Sequence, residues 1–167
     1  TYPDLFAKLL VAGCQRLFRY GIFHEYVNVE EERYGVKGKL NVSKTLKGNH
    51  WREGRLYCNY DEYSHDVLIN QIIYATLRRL MNYDGLDAAN HKAVKTVYLQ
   101  FPPVSLIPLS KEDFGKVTIT RNNRFYGLLV HICQLIFESL LPDEHTKGKY
   151  HFLDFSKDRL NAIFEKF

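Results

Sequence analysis

The sequence lacks the short motifs by which most catalytic and metal-binding sites are recognised. Its three cysteines stand far apart with no CxxC pair, and its seven histidines form no HxxxH or HExxH pair. A zinc site and a secreted disulfide framework are therefore both disfavoured, and the cysteine usage indicates a reducing cytoplasm. No Walker-type glycine loop, GxGxxG segment or serine nucleophile elbow occurs. We expect neither a metal nor a nucleotide bound by this chain.

Long hydrophobic runs are also missing. The longest apolar stretches are too short and too interrupted to cross a bilayer, and the first residues lack the pattern of a signal peptide. Because the chain begins with Thr1 and not with Met, we expect it to be a fragment of a longer protein. The net charge of +4 is small and spread along the chain, so charge alone does not identify a nucleic-acid binder.

The composition is that of a folded protein. Of the 167 residues, 46% are hydrophobic and 25% charged, which suits one compact unit, with two small lobes as the alternative. The 12 tyrosines and 11 phenylalanines are numerous for this length. Large amphipathic rings occur both in cores and at protein contacts. Interfaces with other proteins are therefore a reasonable expectation.

Hydrophobic periodicity predicts an α+β fold. Apolar residues at helical spacing predict helices at 4–20, 86–100 and 124–141, and one that is capped by Ser64 or Asp66 and runs to about Asn82. Strands are predicted for "EYVNVEEER" and "GKLNV", as a strand pair of a small sheet or barrel, and for "RLYCNYDEY" and "YHFLDF". "SKTLKGN" predicts one or two helical turns, 104–120 irregular chain, "DEHTKGK" a loop, and "KDRLNAIFEKF" the start of a helix.

Two of these helices have clear apolar faces, which we expect to form the core. In the helix that runs to about Asn82, the predicted stripe consists of Ile69, Ile72, Ile73, Thr76, Leu77 and Leu80, with Asn70, Arg78 and Arg79 at its edges or outside. In the last of the four, the predicted face consists of Phe125, Leu128, Leu129, Ile132, Leu135, Ile136 and Leu140.

An acidic cluster is the first candidate for chemistry. Carboxylates beside a histidine can hold a divalent metal or act as acid and base, and this cluster comprises Asp61, Glu62, His65 and Asp66. A metal-dependent nuclease usually needs carboxylates from different strands and a nearby lysine, and that constellation is missing here. The structural interpretation is favoured, in which Asp66 caps a helix while the other carboxylates pair with nearby cations.

A basic segment precedes the acidic cluster. Its cations and rings could contact the phosphate backbone of a nucleic acid, and they are Lys37, Lys39, Lys44, Lys47, His50, Trp51, Arg52 and Arg55. Lysines also occur on strand edges, where they prevent pairing between sheets. The strand-edge interpretation is favoured, and DNA binding remains the alternative.

A third candidate is the predicted turn in "TRNNRFYGLL". Asparagine is common in such turns because its amide caps helices and tolerates left-handed backbone, which accounts for Asn122 or Asn123. It does not account for an arginine on each side, at Arg121 and Arg124. A guanidinium at a loop tip is well suited to reach a partner's carboxylate or phosphate.

Four segments together resemble a known family. "GVKGKLNVSKTLKGN", "YDEYSHDVLINQIIYATLRRL", "TRNNRFYGLLVHICQLIFESLLP" and "KGKYHFLDFSKDRLNAIFEKF" are similar, in this order and spacing, to the amino-terminal half of the McrC family of McrBC methylcytosine-dependent restriction systems. The resemblance covers nearly the whole chain. It implies a mostly helical stalk with a small β-sheet or β-barrel finger at 1–155, and at 156–167 the start of a linker helix to a PD-(D/E)xK nuclease domain that this sequence does not include.

The resemblance also implies a partner and a role. McrC-like subunits dock in the pore of a hexameric AAA+ GTPase, McrB, and stimulate its GTP hydrolysis, so GTP and Mg²⁺ belong to the partner and DNA is reached through the complex. The family places a basic side chain at the finger tip, and the matching residue is Arg121, with Asn122, Asn123 and Arg124 beside it. Secondary basic contacts are expected from Lys37, Lys39, Lys44, Lys47 and Arg52, and a catalytic residue from none.

Overall fold

The computed structural model describes residues 1–142 and 150–152, and these residues form two compact units. The helical unit comprises Thr1–Ile22 together with the chain from Leu68 onward, and the β unit comprises Phe23–Val67. The predicted α+β fold is confirmed. In order, the elements are α1 (Tyr2–Tyr20), β1 (Glu25–Tyr34), β2 (Lys39–Leu40), α2 (Val42–Lys47), a 3₁₀ helix (His50–Glu53), β3 (Arg55–Ser64), α3 (Leu68–Met81), α4 (Ala88–Gln100), α5 (Lys111–Lys116), a second 3₁₀ helix (Arg121–Asn123), α6 (Arg124–Ser139), β4 (Leu140–Pro142) and β5 (Tyr150–Phe152).

Four long helices build the helical unit. Helix α1 has Pro3 in its first turn, where a missing N–H costs nothing, and ends at Gly21, whose φ of 94° suits glycine. Helices α1 and α3 each pack against both α4 and α6. Close packing of α1 on α6 depends on Gly13, because a Cβ there would lie 2.1 Å from Leu129 Cδ2. The core of this unit is apolar side chains from all four helices.

The β unit is a three-stranded antiparallel sheet in the order β1-β3-β2. Strand β1 pairs with β3 along its whole length, from Glu25 opposite Ser64 to Tyr34 opposite Arg55. Strand β2 pairs with the other edge of β3, with Leu40 opposite Cys58. The predicted pairing of "EYVNVEEER" with "GKLNV" is thus wrong, because β1 and β2 both pair with β3 and not with each other. The intervening "GVKG" crosses between the edges, and Gly35 and Gly38 have positive φ there.

Most predicted elements of the helical unit are present. The apolar stripe predicted for the helix that is now α3 is buried as expected, but Asn70 is also fully buried and is not at the edge. Leu128 was expected in the core and is 50% exposed. Within 104–120, expected to be irregular, the chain forms α5, which a capping box at Ser110 and Asp113 begins.

The end of α6 differs slightly from the prediction. The helix stops at Ser139, and the next three residues form β4, which pairs with β5, the described part of the predicted strand "YHFLDF". The predicted loop at 143–149 and the predicted linker helix at 156–167 lie outside the described residues.

Candidate protein interface

Asn123 holds the turn that precedes α6. Its side-chain oxygen accepts hydrogen bonds from the Thr120 N–H at 2.5 Å and from the Thr120 hydroxyl at 3.3 Å, and its amide donates to the Thr118 carbonyl at 3.0 Å. The residue is 5% exposed. Because every part of this amide is used within the turn, Asn123 positions its neighbours and is not itself presented to a partner.

The other three predicted residues of this turn are on the surface. Arg121, Asn122 and Arg124 are exposed, on a 3₁₀ turn and the first position of α6. Neither arginine has an ion pair with a carboxylate anywhere in residues 1–142 or 150–152. The turn therefore presents two guanidinium groups that pair with no described carboxylate, on a backbone that the hydrogen bonds of Asn123 hold in place.

A cleft of about 280 Å³ lies beside this turn, between the end of α1 and the start of α6. The Arg16 guanidinium lies 4.5 Å from the centre of the Phe125 ring and 5.7 Å from that of Tyr20. Asn122 and Asn123 also line the cleft, and Leu17 and Tyr126 supply buried apolar surface. Sequence reasoning missed Arg16, because cation and ring are on different helices and no local pattern links them.

Two cations of the basic segment, Lys44 and Arg55, form ion pairs within the β unit. Lys44 Nζ lies 2.8 Å from Glu30 Oε1, and Arg55 contacts Glu53 at 2.8 Å and Glu32 at 3.7 Å. The hydrogen bond from Lys44, with a further one from Asn41, holds the pKa of the Glu30 carboxyl below its usual value. These two cations are therefore engaged in contacts within the unit.

The remaining cations of the segment have other environments. Lys37 Nζ lies 3.7 Å from the centre of the Tyr60 ring, and Arg52 stacks near Trp51 at 5.4 Å. Lys39 and Lys47 are exposed and pair with no carboxylate in the described part of the chain. The β unit contains seven Lys and Arg residues against eight Asp and Glu residues, so its formal charge is −1. The unit therefore has no excess of positive charge.

The acidic cluster does not form a shared site. Asp61 and Glu62 are adjacent on β3, so their side chains point to opposite faces of the sheet. Asp61 accepts a hydrogen bond from Asn28 on β1 at 3.0 Å, and the Asp66 N–H donates to the Ser64 hydroxyl shortly before α3 begins. Among residues 1–142 and 150–152, no three His, Cys, Asp or Glu side chains come together as a group that could hold a metal ion.

Exposed apolar side chains are the feature of the β unit that site-by-site sequence reasoning missed. They lie on the sheet, on α2 and on the first 3₁₀ helix, and they include Tyr26, Tyr34, Val42, Leu46, Trp51 and Tyr63. Tyr26 and Tyr63 face each other across β1 and β3, with ring centres 5.1 Å apart. The high tyrosine count was the available signal. Rings exposed in this number are typical of a surface that another protein covers.

The predicted interface residues are divided between the two units. Arg121, Asn122 and Arg124 belong to the helical unit, and Lys37, Lys39, Lys44, Lys47 and Arg52 belong to the β unit. The sequence-based expectation placed the Arg121 turn and the small sheet in one finger. Each set is therefore considered below as a separate candidate surface.

A family model described as McrBC 5-methylcytosine restriction system component matches residues 1–167. The chain belongs to this family. It is 27% identical over 166 residues to the Escherichia coli K12 protein described as type IV methyl-directed restriction enzyme EcoKMcrBC. That match covers 98% of this chain and 47% of the McrBC relative, so the chain spans about half the length of the curated relative it matches.

Solved McrBC structures share the fold. A chain of the Thermococcus gammatolerans McrBC complex matches 99% of this chain with a TM-score of 0.66 and 24% identity, over 46% of its own length. A second structure, a half-complex from a tetradecameric assembly of T. gammatolerans McrB AAA+ hexamers with bound McrC, matches 98% with a TM-score of 0.67 and 21% identity, over 37% of the matched chain. None of the helices in the described ranges of this McrBC family member is long and apolar enough to cross a membrane.

Proposed function

We propose that this chain is the partner-docking half of an McrC-type subunit, which binds a hexameric AAA+ GTPase of the McrB type and stimulates its GTP hydrolysis. The observation that carries the proposal is the Asn123-anchored turn, which presents Arg121 and Arg124 without a carboxylate partner among the described residues. The family assignment supports it, since one similar structure is described as McrB AAA+ hexamers with bound McrC.

The turn suits a stimulating role because it is preorganised. A catalytic or positioning cation accelerates hydrolysis only when it is fixed near the place where charge develops, so that little rearrangement occurs during the reaction. Three hydrogen bonds of Asn123 fix the backbone that bears Arg121. In the proposed complex GTP and Mg²⁺ are held by the partner, and Arg121 orients partner groups that position the attacking water.

DNA cleavage belongs to another part of the proposed subunit. The chain spans 47% of its E. coli relative, and we propose that 156–167 begins a linker to a nuclease domain of the PD-(D/E)xK type. No residue of this chain is assigned a role in cutting DNA, and DNA is reached through the assembled complex.

The proposal is tested by GTP turnover. The chain, mixed with the McrB-type hexamer of the same system, is expected to accelerate hydrolysis in a saturable manner. Arg121→Ala should reduce the maximal stimulation roughly tenfold or more while leaving the half-maximal concentration nearly unchanged, because it removes a positioned charge and little contact area. Arg78→Ala, which removes an exposed arginine of the same unit from α3, is the matched control.

Two results would contradict this proposal. If the unmodified chain neither binds the hexamer nor accelerates turnover, the docking function is wrong. If Arg121→Ala and Arg78→Ala behave alike, the turn has no part in stimulation.

Direct DNA binding by 37–55 is a second candidate, supported by the exposed Lys39 and Lys47 that pair with no carboxylate in the described ranges. It predicts an affinity that falls steeply with salt and a slope that decreases by about one when a contacting lysine is replaced. Fluorescence anisotropy with a labelled duplex measures both. The ion pairs of Glu30 and Glu32 and the unit's net charge of −1 favour weak binding with a shallow slope.

A further inference from the structure

The cleft between the end of α1 and the start of α6 has a partly apolar lining that includes one arginine. Its buried apolar lining includes Leu17 and Tyr126, and the exposed Arg16 and Tyr20 also line it. A volume of about 280 Å³ suits an inserted side chain and is far too small for a folded element or a duplex.

Arg16 is held in a way that leaves its donors available. Its guanidinium lies 4.5 Å from the centre of the Phe125 ring, within the range of a cation–π contact. The N–H donors lie in the plane of a guanidinium and point outward from its edge. A ring contact does not use these donors, and an arginine that is already held against a ring can bind a carboxylate at a reduced cost in side-chain entropy.

One arginine lines the cleft, and three more lie near the lining residues in the sequence. Arg16 is the lining arginine, Arg19 follows it on α1, and Arg121 and Arg124 flank Asn122 and Asn123 in the chain. None of these four arginines pairs with a carboxylate within 1–142 or 150–152. The sequence itself has no Asp or Glu from Leu5 to His24 or from Phe114 to Phe137. Both walls therefore come from stretches that are free of negative charge.

We propose that this cleft binds an acidic segment of the AAA+ partner, with an apolar side chain of that segment against Leu17 and Tyr126 and a neighbouring carboxylate on Arg16. This inference rests on the proposed function and specifies the chemistry of the contact. Arginine with tyrosine and phenylalanine around a buried apolar centre is the composition of protein–protein contacts. A nucleic acid would instead need a longer track of cations along its backbone, and the described surface of the cleft is a single short patch.

The test separates binding from stimulation. Arg16→Glu reverses the charge at the cleft and is expected to raise the half-maximal concentration of the chain in the GTPase assay about tenfold, with maximal stimulation unchanged at saturation. Arg16→Gln, which keeps most of the side-chain length, should raise it about threefold. Lys8→Glu makes the same charge reversal at an exposed position on the same helix, and it should leave the half-maximal concentration within twofold of the original.

The outcomes are distinguishable. If the unmodified chain stimulates the hexamer and Arg16→Glu shifts the half-maximal concentration no more than Lys8→Glu, the cleft proposal is overturned and the proposed function stands. If the unmodified chain does not stimulate, the proposed function fails and this inference fails with it. Thermal unfolding by circular dichroism verifies that each variant is folded, and Arg16→Gln carries the test if Arg16→Glu is not.

A nucleic-acid role of the cleft is a separate outcome of the same variants. If Arg16→Glu weakens binding of a single-stranded oligonucleotide about tenfold while the half-maximal concentration for the hexamer is unchanged, the cleft binds nucleic acid and the proposal is overturned. Equal oligonucleotide affinity for Arg16→Glu and Lys8→Glu, together with the expected GTPase shift, supports the acidic protein segment.

Discussion

The helical unit and the β unit are stabilised in different ways. In the described helical unit, buried apolar residues come from every long helix, and several, such as Leu10, Ile72 and Leu77, are 0% exposed. In the β unit, Phe23–Val67, the only buried residues are Thr45, Cys58 and Val67. This sheet therefore depends on its long β1–β3 ladder and on polar contacts of its side chains, since it has little apolar core.

The two units also differ in how they use cations. In the β unit, Lys44 and Arg55 pair with glutamates of the same unit. In the helical unit, Arg16 at the α1–α6 cleft and Arg121 and Arg124 at the turn pair with no carboxylate among the described residues. Cations that are paired within a fold do little for a partner, whereas an unpaired cation beside apolar residues remains available. The β unit keeps unpaired lysines as well, at Lys39 and Lys47, so the difference lies in the ion pairs of Lys44 and Arg55 and in the apolar lining beside Arg16.

The largest test of this difference compares two leucines. Leu77→Ala opens a cavity in the core of the helical unit and should lower the free energy of unfolding by about 2–5 kcal/mol. Leu46→Ala removes the same atoms from a side chain of α2 that is 59% exposed, and should change the free energy of unfolding by less than about 0.5 kcal/mol. Urea unfolding followed by far-UV circular dichroism measures both. Similar costs would mean that the β unit has a core that the burial pattern does not reveal.

A smaller effect is expected from the polar contact that joins α1 to α4. The Asp4 carboxylate accepts hydrogen bonds from the Asp87 N–H at 3.0 Å, from the Asn90 amide at 2.9 Å and from the Thr1 hydroxyl. Asp4→Ala should lower the free energy of unfolding by about 1–2 kcal/mol at neutral pH. Glu138→Gln, at an exposed carboxylate of α6, is the control and should change it by less than about 0.5 kcal/mol.

The same contact should give stability a dependence on pH. Hydrogen bonds from Thr1 and Asn90 hold the pKa of the Asp4 carboxyl well below its ordinary value of 3.8. A group whose pKa is lowered on folding stabilises the protein above its unfolded pKa, and this contribution is lost as pH falls toward the folded value. The difference between the original chain and Asp4→Ala should therefore be constant from pH 7 to about 5 and shrink below about 4. A difference that grows on acidification would show that the sign is wrong.

The smallest effect concerns DNA affinity. Replacing Glu30 and Glu32 with glutamine removes the carboxylates that pair with Lys44, His50 and Arg55, so the surface of the β unit becomes more positive. Its affinity for duplex DNA at low salt should rise about threefold, and the dependence of affinity on salt should become steeper. Anisotropy titrations at several salt concentrations measure this. Unchanged affinity would mean that these cations are already unavailable to DNA for another reason.

Local sequence patterns were sufficient to predict the long elements. Helix α1 is amphipathic and is followed by Gly21, and α3 has its apolar residues at three- and four-residue spacing, so both were predicted nearly to their ends. Helix α4 ends before Pro102 as expected. Such signals are contained within one helical segment, because side chains three and four positions apart share a face whatever surrounds them.

Features that depend on distant contacts were not predicted. Strand β2 has only two residues, and its pairing with β3 instead of β1 follows from the crossing of the "GVKG" segment. Asn70 was expected at the edge of its helix and is fully buried. In the candidate interface, the arginines of the turn were identified from the sequence, and a capping role was predicted for Asn122 or Asn123 without a choice between them, whereas the contact of Arg16 with Phe125 was not predicted.

The sequence by itself determined the helices, the glycine and proline positions that end them, the family, and the absence of Asp and Glu from the two stretches that border the cleft. Tertiary structure alone decided which cations are paired. Whether a lysine or arginine is available depends on the carboxylates that folding brings within a few ångströms, and these come from residues far away in the chain. For that reason Lys44 and Arg55 of the basic segment pair with glutamates of β1 while Lys39 and Lys47 pair with no described carboxylate, and Arg16 of α1 lies against Phe125 of α6 in the cleft.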